Sequence, residues 1–369
     1  MRATALDQSE VGCRLTVDDN IIDFTWRWLR DHARDGESFL ASAQQRMITP
    51  TAVADAGVGA ADLTDDGDSL RVTWPNGTVS TWTIEWLASV ATGAAAATSV
   101  DDLLGVPEPW RGDQLDARLA RITADELDTD EGLSAALRSL RRDGVIVVSE
   151  LATDHDATRT AIERFGYVRM TIFGDLWEFR SDGGFDDTAS TPLEITPHTD
   201  GTYSADAPGL LALHCHRYEA IGGENVFVCG HALAERLTSE SPRHHDLLRT
   251  IDIPGQYIGD GAHLMAHRPA LRYLGDRLAQ VSYNHHDRAP FRLPEPTMTE
   301  LLDALAHLDA IANDAAMQFE LALRPGDMVV FDNWRVLHGR RAFEGERVIA
   351  GGYVNREDVD STARRLAAP

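Results

Sequence analysis

In the stretch Thr196–Tyr203, which reads Thr-Pro-His-Thr-Asp-Gly-Thr-Tyr, His198 and Asp200 stand two residues apart. In extended chain, residues at i and i+2 point to the same side, so this imidazole and this carboxylate can converge on one ion. Far downstream, Val329–Arg341 reads Val-Val-Phe-Asp-Asn-Trp-Arg-Val-Leu-His-Gly-Arg-Arg, with His338 near its end. Two histidines and one carboxylate are the minimal facial set for a non-haem Fe(II) centre, which leaves positions open for a substrate acid and for O₂. Arg347 follows His338 by nine residues. Its planar fork suits two-point binding of a carboxylate, here the far end of a dicarboxylic co-substrate.

The other histidine clusters serve this chemistry less well. His244-His245 and His285-His286 are adjacent pairs, and adjacent residues on a strand diverge. The first pair reads as solvated surface. His263 and His267 are four apart and would share a helix face. No Glu follows His263, and Pro269 closes the segment, so a helical zinc motif is not supported.

The elements that must position these groups follow from periodicity. Leu133–Arg142 has helical spacing and leads through Asp143-Gly144 into a strand at Val145–Val148. Leu210–His214, Asn225–Val228, Gln280–Tyr283, Met328–Asp332 and Arg347–Asn355 read as strands, the second entered through Gly222-Gly223. Residues 230–253 read as largely helical, and Thr297–Glu320 as one long helix with Leu301, Leu305, Leu308 and Ile311 on its apolar face. His338 falls on a strand-to-turn passage ending in Gly339. This predicts a mainly β fold with helices, a double-stranded β-helix (jelly-roll) catalytic domain over residues 131–369. Residues 1–90 predict a small β-rich domain, with a hairpin over Leu70–Trp82 turning at Asn76-Gly77 and a short helix at Trp86. Residues 91–130, rich in small residues and then in proline, predict a linker.

Composition narrows the partners. The chain has 59 acidic and 34 basic residues, a net charge of −25, and every basic residue is arginine. Nucleic acid and anionic membrane surfaces, which call for basic patches, are not expected partners. No apolar run reaches about 18 residues, and the N-terminal residues lack an apolar signal core, so the cytoplasm is the expected compartment. Cys13, Cys215 and Cys229 are scattered and odd in number, which argues against a disulfide framework. A small-molecule substrate is expected, with a homodimer as the candidate assembly.

Several words of the chain agree with one family. They are His198-Thr199-Asp200, Pro208-Gly209, His214-Cys215, Gly222-Gly223, Tyr283-Asn284, Asp287-Arg288 and Asp332–Arg340. With Trp28–His32 and Thr73–Gly77 in the N-terminal part, and Gly352-Tyr353 through Arg364 in the tail, they cover nearly the whole chain. The chain resembles the Fe(II)/2-oxoglutarate dioxygenases of the taurine dioxygenase superfamily, its γ-butyrobetaine and trimethyllysine hydroxylase branch in particular. The resemblance implies iron held by His198, Asp200 and His338, and 2-oxoglutarate clamped by Arg347 with Asn225 assisting. Fe(II), 2-oxoglutarate and O₂ would together hydroxylate an unactivated carbon of a small amine- or quaternary-ammonium-bearing substrate. By the same match Phe173, Trp177, Ser190 and Tyr353 face the substrate, with Ser190 where γ-butyrobetaine hydroxylases carry an aromatic. Phe173 and Trp177, four apart, share a face if their segment is helical. Arg347 and Tyr353, six apart on a strand, share a face there. Where that branch binds zinc in the small domain this chain has Ala33, Asp35, Ser38 and Thr78, so no zinc is expected. The alternatives are desaturation or another oxidation by the same centre, and a non-catalytic jelly-roll used for binding.

Overall fold

The structure is a computed structural model that describes residues 1–55, 57–93, 99–180, 191–259 and 261–367. The chain divides into two compact units, Met1–Thr98 and Ser99–Pro369.

The smaller unit holds two three-stranded antiparallel sheets, Ala3–Gln8, Gly12–Val17 and Asn20–Thr25, and Ala60–Leu63, Ser69–Thr73 and Val79–Thr83. The hairpin predicted around Asn76-Gly77 is there, with Gly77 at φ +84° accepting the conformation that a side chain disfavours. Trp26, Trp74 and Trp82 fill the core, while Trp28 and Trp86 pack at its margin. Trp86 lies in the helix Ile84–Ala91. Polar side chains at and near the positions where the related branch binds zinc bond among themselves. Ser80 Oγ donates to Asp35 (2.6 Å), Arg30 donates to Ser38 Oγ (3.0 Å), and Trp74 Nε1 donates to Ser80 Oγ (2.8 Å).

In the larger unit a six-stranded sheet runs in the order Leu176–Arg180, Phe343–Val354, Leu210–Gly222, Met328–Asp332, Val145–Ser149, Ala120–Thr123. All neighbours are antiparallel except the last pair. A four-stranded antiparallel sheet follows the order Ile195–His198, Val336–Arg340, Asn225–Cys229, Gln318–Leu321. The two sheets share a core in which Phe227 of one meets Phe331 of the other at 5.2 Å between ring centroids. The strand Val145–Ser149 is apolar over its first four residues because both its faces are covered there. Val145 and Val147 look toward this inter-sheet core, and Ile146 and Val148 toward a second core under the helices. Those helices include Asp130–Asp143, His155–Glu163 and Arg356–Ala367. The first starts on the Thr129 cap and stops at Gly144, which is left-handed at φ +80°.

Three expectations change. Residues 99–130 are more than a linker. They contribute helices at Val100–Leu104 and Gly112–Asp116, the edge strand Ala120–Thr123, and the buried Trp110, whose indole N–H donates to Asp143 O (2.6 Å). The helix expected to reach Glu320 stops at Ala312, capped by Asn313. Beyond it, Gln318–Leu321 pairs with Asn225–Val228, whose open edge takes a strand. His263 and His267 lie on the strand Ala262–Arg268, not a helix, so their spacing of four has no helical meaning.

Candidate active site

His198 ends the strand Ile195–His198, and His338 lies in the middle of Val336–Arg340 rather than on a turn. The two are direct cross-strand partners, with ring centroids 4.4 Å apart. Opposed residues of an antiparallel pair share a face, so the register alone brings both imidazoles together. An irregularity between Ile195 and His198 adjusts the aim of the first.

Asp200 follows two residues on, where Gly201 turns the chain at φ +72°. Asn333 fixes this turn. Its Oδ1 accepts the Asp200 N–H (2.8 Å), and its Nδ2 donates to Asp200 O and Pro208 O (3.1 and 3.0 Å). Asp200 Oδ1 then lies 3.3 Å from His198 Nε2, and Oδ2 lies 3.6 Å from His338 Nε2. Donors about 2.1 Å from one ion and at right angles to each other are roughly 3 Å apart, so this trio fits a transition metal. His198 Nδ1 donates to Thr196 O (2.9 Å), which leaves Nε2 as the lone-pair atom facing Asp200. Burial pushes the Asp200 carboxyl up, but the adjoining imidazoles win and hold it well below the usual carboxylate range. Burial pushes the His338 imidazole down.

Arg347 lies in Phe343–Val354, the strand that also carries Tyr353. It is 4% exposed, donates to Asn225 Oδ1 (3.2 Å), and forms no ion pair among the described residues. Burial lowers its pKa. A buried guanidinium without an anion is costly, and a bound carboxylate would offset that cost. Asn225 itself donates to Leu321 O (3.3 Å), which turns its carbonyl toward Arg347.

His198, Asp200, His338, Arg347 and Asn225 all line one cavity of about 300 Å³. Phe173, Trp177 and Tyr353 line it too. Trp177 sits on the strand Leu176–Arg180, so the helical relation to Phe173 does not hold; a sheet face and a neighbouring turn bring the two to the cavity instead. Trp177 and Tyr353 lie 4.4 Å apart between ring centroids, and Tyr353 O–H donates to Asp200 Oδ2 (2.7 Å). Ser190 lies outside the described residues.

Sequence reasoning missed Tyr203, Tyr257, Asn284 and Asp287, which also line the cavity. Tyr257 packs between Phe173 and Tyr203, at 5.6 and 5.3 Å between ring centroids. Asp287 accepts from Thr202 Oγ1 (3.1 Å) and Asn284 Nδ2 (3.0 Å). The words Tyr283-Asn284 and Asp287-Arg288 were the available signal, but no spacing ties them to the histidines. Asn333 gave a similar signal as part of the His338 run.

Among the described residues no helix is long and apolar enough to cross a membrane. The sequence pattern of the taurine catabolism dioxygenase TauD, TfdA family matches residues 112–353. The mitochondrial trimethyllysine dioxygenase of Gallus gallus is 31% identical over 357 residues, covering 94% of this chain and 84% of that protein. Its Homo sapiens counterpart is 30% identical over 371 residues, covering 98% and 87%. A solved Burkholderia xenovorans structure of the taurine dioxygenase kind shares the fold at a TM-score of 0.50, with 14% identity over 68% of this chain and 91% of that one. The matched span runs from the helix Gly112–Asp116 to Tyr353, and so takes in every metal-competent donor of the cavity together with Arg347; the chain belongs to the TauD, TfdA family of dioxygenases.

Proposed function

We propose that this protein is an Fe(II)- and 2-oxoglutarate-dependent dioxygenase that hydroxylates an unactivated carbon of trimethyllysine or a close trimethylammonium analogue. One observation carries the substrate class. The aromatic faces of Trp177 and Tyr353 meet in the same cavity as the metal-competent trio, one hydrogen bond from Asp200. A trimethylammonium group has no N–H to donate, so aromatic faces are its natural seat, each worth about 0.5–2 kcal/mol. Asp287 adds negative potential on the same wall.

In this reading His198, Asp200 and His338 hold the iron, and Arg347, steadied by Asn225, takes the distal carboxylate of 2-oxoglutarate. Bound Fe(II), with 2-oxoglutarate and O₂, supplies the oxidising power that C–H hydroxylation needs. The protein supplies position. Tyr353 donates to one Asp200 oxygen and leaves the other for the metal, and Asn333 holds the turn beneath. Phe173, Trp177 and Tyr353 seat the ammonium group, with Ser190 assigned beside them. The two sheets of the larger unit are the layers of a double-stranded β-helix, and the Met1–Thr98 unit is a separate small β-rich domain. A cytoplasmic location and a homodimer belong to the proposal as well, to be checked by fractionation and light scattering.

The test is to supply the purified protein with Fe(II), 2-oxoglutarate and trimethyllysine. Succinate should form in step with a product carrying one added oxygen. A chelator should stop the reaction and Fe(II), not Zn²⁺, should restore it. A product lacking hydrogens and carrying no added oxygen would establish desaturation instead. Succinate formation indifferent to every trimethylammonium compound would remove the substrate class.

A further inference from the structure

A second group of metal-competent side chains lies on the six-stranded sheet, on the face turned away from the cavity that Trp177 lines. Trp177 and Glu178 are neighbours on Leu176–Arg180, and successive side chains on a strand point to opposite faces. Trp177 looks into the cavity, while Glu178 looks out under the helix His155–Glu163. There Glu178 Oε1 lies 2.9 Å from His155 Nε2 and 3.6 Å from His216 Nδ1. The three donor atoms lie within 4.8 Å of one another, the same compactness as the trio of the active site.

Hydrogen-bond accounting fixes the state of two of the three. Thr158 Oγ1 donates its proton to Asp154 O (2.8 Å) and lies 3.0 Å from His216 Nε2 and 2.7 Å from His214 Nδ1. With its single proton committed, the hydroxyl can only accept from the imidazoles. His216 therefore carries its proton on Nε2 and presents the lone pair of Nδ1 toward Glu178. A hydrogen bond at the far ring nitrogen is the usual device for orienting a metal-binding histidine. Glu178 is similarly divided. Arg180 Nε donates to Oε2 (2.7 Å), which leaves Oε1 to face both histidines. His155 is the exposed member, on the side from which an ion and its water would enter.

We infer that His155, Glu178 and His216 form a second divalent-metal site that takes a borderline ion such as Zn²⁺, with water as the fourth ligand. Two imidazoles and one carboxylate suit such an ion, whereas Ca²⁺ and Mg²⁺ prefer all-oxygen sets. The ligands come from a helix, the sheet's edge strand Leu176–Arg180 and the inner strand Leu210–Gly222. A bound ion would pin the edge strand that carries Trp177, and with it the back of the substrate wall.

The probe is Zn²⁺ alone, added to the full chain without a histidine tag and without Fe(II) or 2-oxoglutarate, with bound metal counted by equilibrium dialysis. Wild type should take up two ions, His155→Ala one, His198→Ala one and the double variant none. Thr158→Val should weaken the outer site about 10–100-fold, and Thr158→Ser should restore it. Zn²⁺ should raise the melting temperature of His198→Ala and leave that of the double variant unchanged. Since His155 is exposed, its substitution should leave the fold intact, which circular dichroism would verify. One ion in wild type with none in His198→Ala, or two in His155→Ala, would overturn the outer site. Two ions in His198→Ala would instead count against the assignment of the inner one.

Discussion

Arg347 keeps a positive charge almost out of water, with the Asn225 carbonyl at 3.2 Å, the Tyr218 ring 5.9 Å away and no anion paired with it among the described residues. If its partner is the 2-oxoglutarate carboxylate, Arg347→Ala should raise the KM for 2-oxoglutarate about 100-fold, on the order of 3 kcal/mol. Arg347→Lys should recover only part of this, because an ammonium cannot reproduce the fork. The melting temperature without ligand should not fall for Arg347→Ala, since removing an unpaired buried charge relieves a cost. A loss of stability with unchanged 2-oxoglutarate dependence would make Arg347 structural. Trp177→Leu tests the opposite wall. Affinity for a trimethylammonium substrate should drop by about 0.5–2 kcal/mol more than affinity for its neutral tert-butyl isostere. Equal losses would make Trp177 mere packing. That these residues would come together at one cavity was legible in the sequence, because the chemistry proposed for them restricts their type. A metal trio accepts few side chains, and a carboxylate clamp fewer. Tyr203 and Tyr257 were not legible, since tyrosines are ordinary surface or core residues until tertiary structure brings them to the cavity.

At the level of elements, the strand Phe343–Val354 brings Arg347 and Tyr353 to the cavity and seats Trp177 beside them, the last through one missing side chain. A Cβ on Gly351 would sit 2.9 Å from Trp177 Cε2 and Nε1. The cross-strand partner of Trp177 is Gly351 itself, so the indole lies over bare backbone. Gly351→Ala should cost about 1–3 kcal/mol of stability through overpacking. It should also tilt Trp177 into the cavity and raise the KM for the ammonium substrate while leaving that for 2-oxoglutarate alone. Thermal denaturation and steady-state kinetics would check both, and an unchanged melting temperature would mean that the indole has room to move. The even spacing of Arg347 and Tyr353 was enough to read their shared face. For Phe173 and Trp177 periodicity misled. Two aromatics four apart suit a helix, but a strand edge and a turn reached the same cavity by another route. The overlong helix at Thr297 has a similar cause. Its apolar spacing was right as far as Ala312, and strand pairing claimed what followed.

For the molecule as a whole, acid should act through buried imidazoles as well as through its many carboxylates. Burial, aided by nearby Arg335, pushes His231 down to about 4. The unfolded chain holds that histidine near 6.5. Between those values the unfolded state binds a proton that the native state refuses, so stability falls as pH drops from about 6.5 toward 4, by up to roughly 3 kcal/mol. His231→Gln should flatten that part of the stability profile, measured by urea denaturation at stepped pH. A profile identical to wild type would mean that the site admits the charged form. Domain-scale organisation was only half legible. The hairpin at Asn76-Gly77 was readable from its turn, but the proline-rich stretch gave no sign that Trp110 would be buried or that Ala120–Thr123 would extend the sheet. The opposition of His198 and His338 has a further meaning for the chain as it folds. They come from strands about 140 residues apart in sequence, and a slip of one residue between those strands would turn one imidazole to the wrong side of the sheet. Only a chain whose distant strands have found their proper register can take up the ion. Metal uptake during refolding is therefore a clock for the assembly of this sheet, and the ion, once seated, is a clasp between two strands that the chain makes far apart.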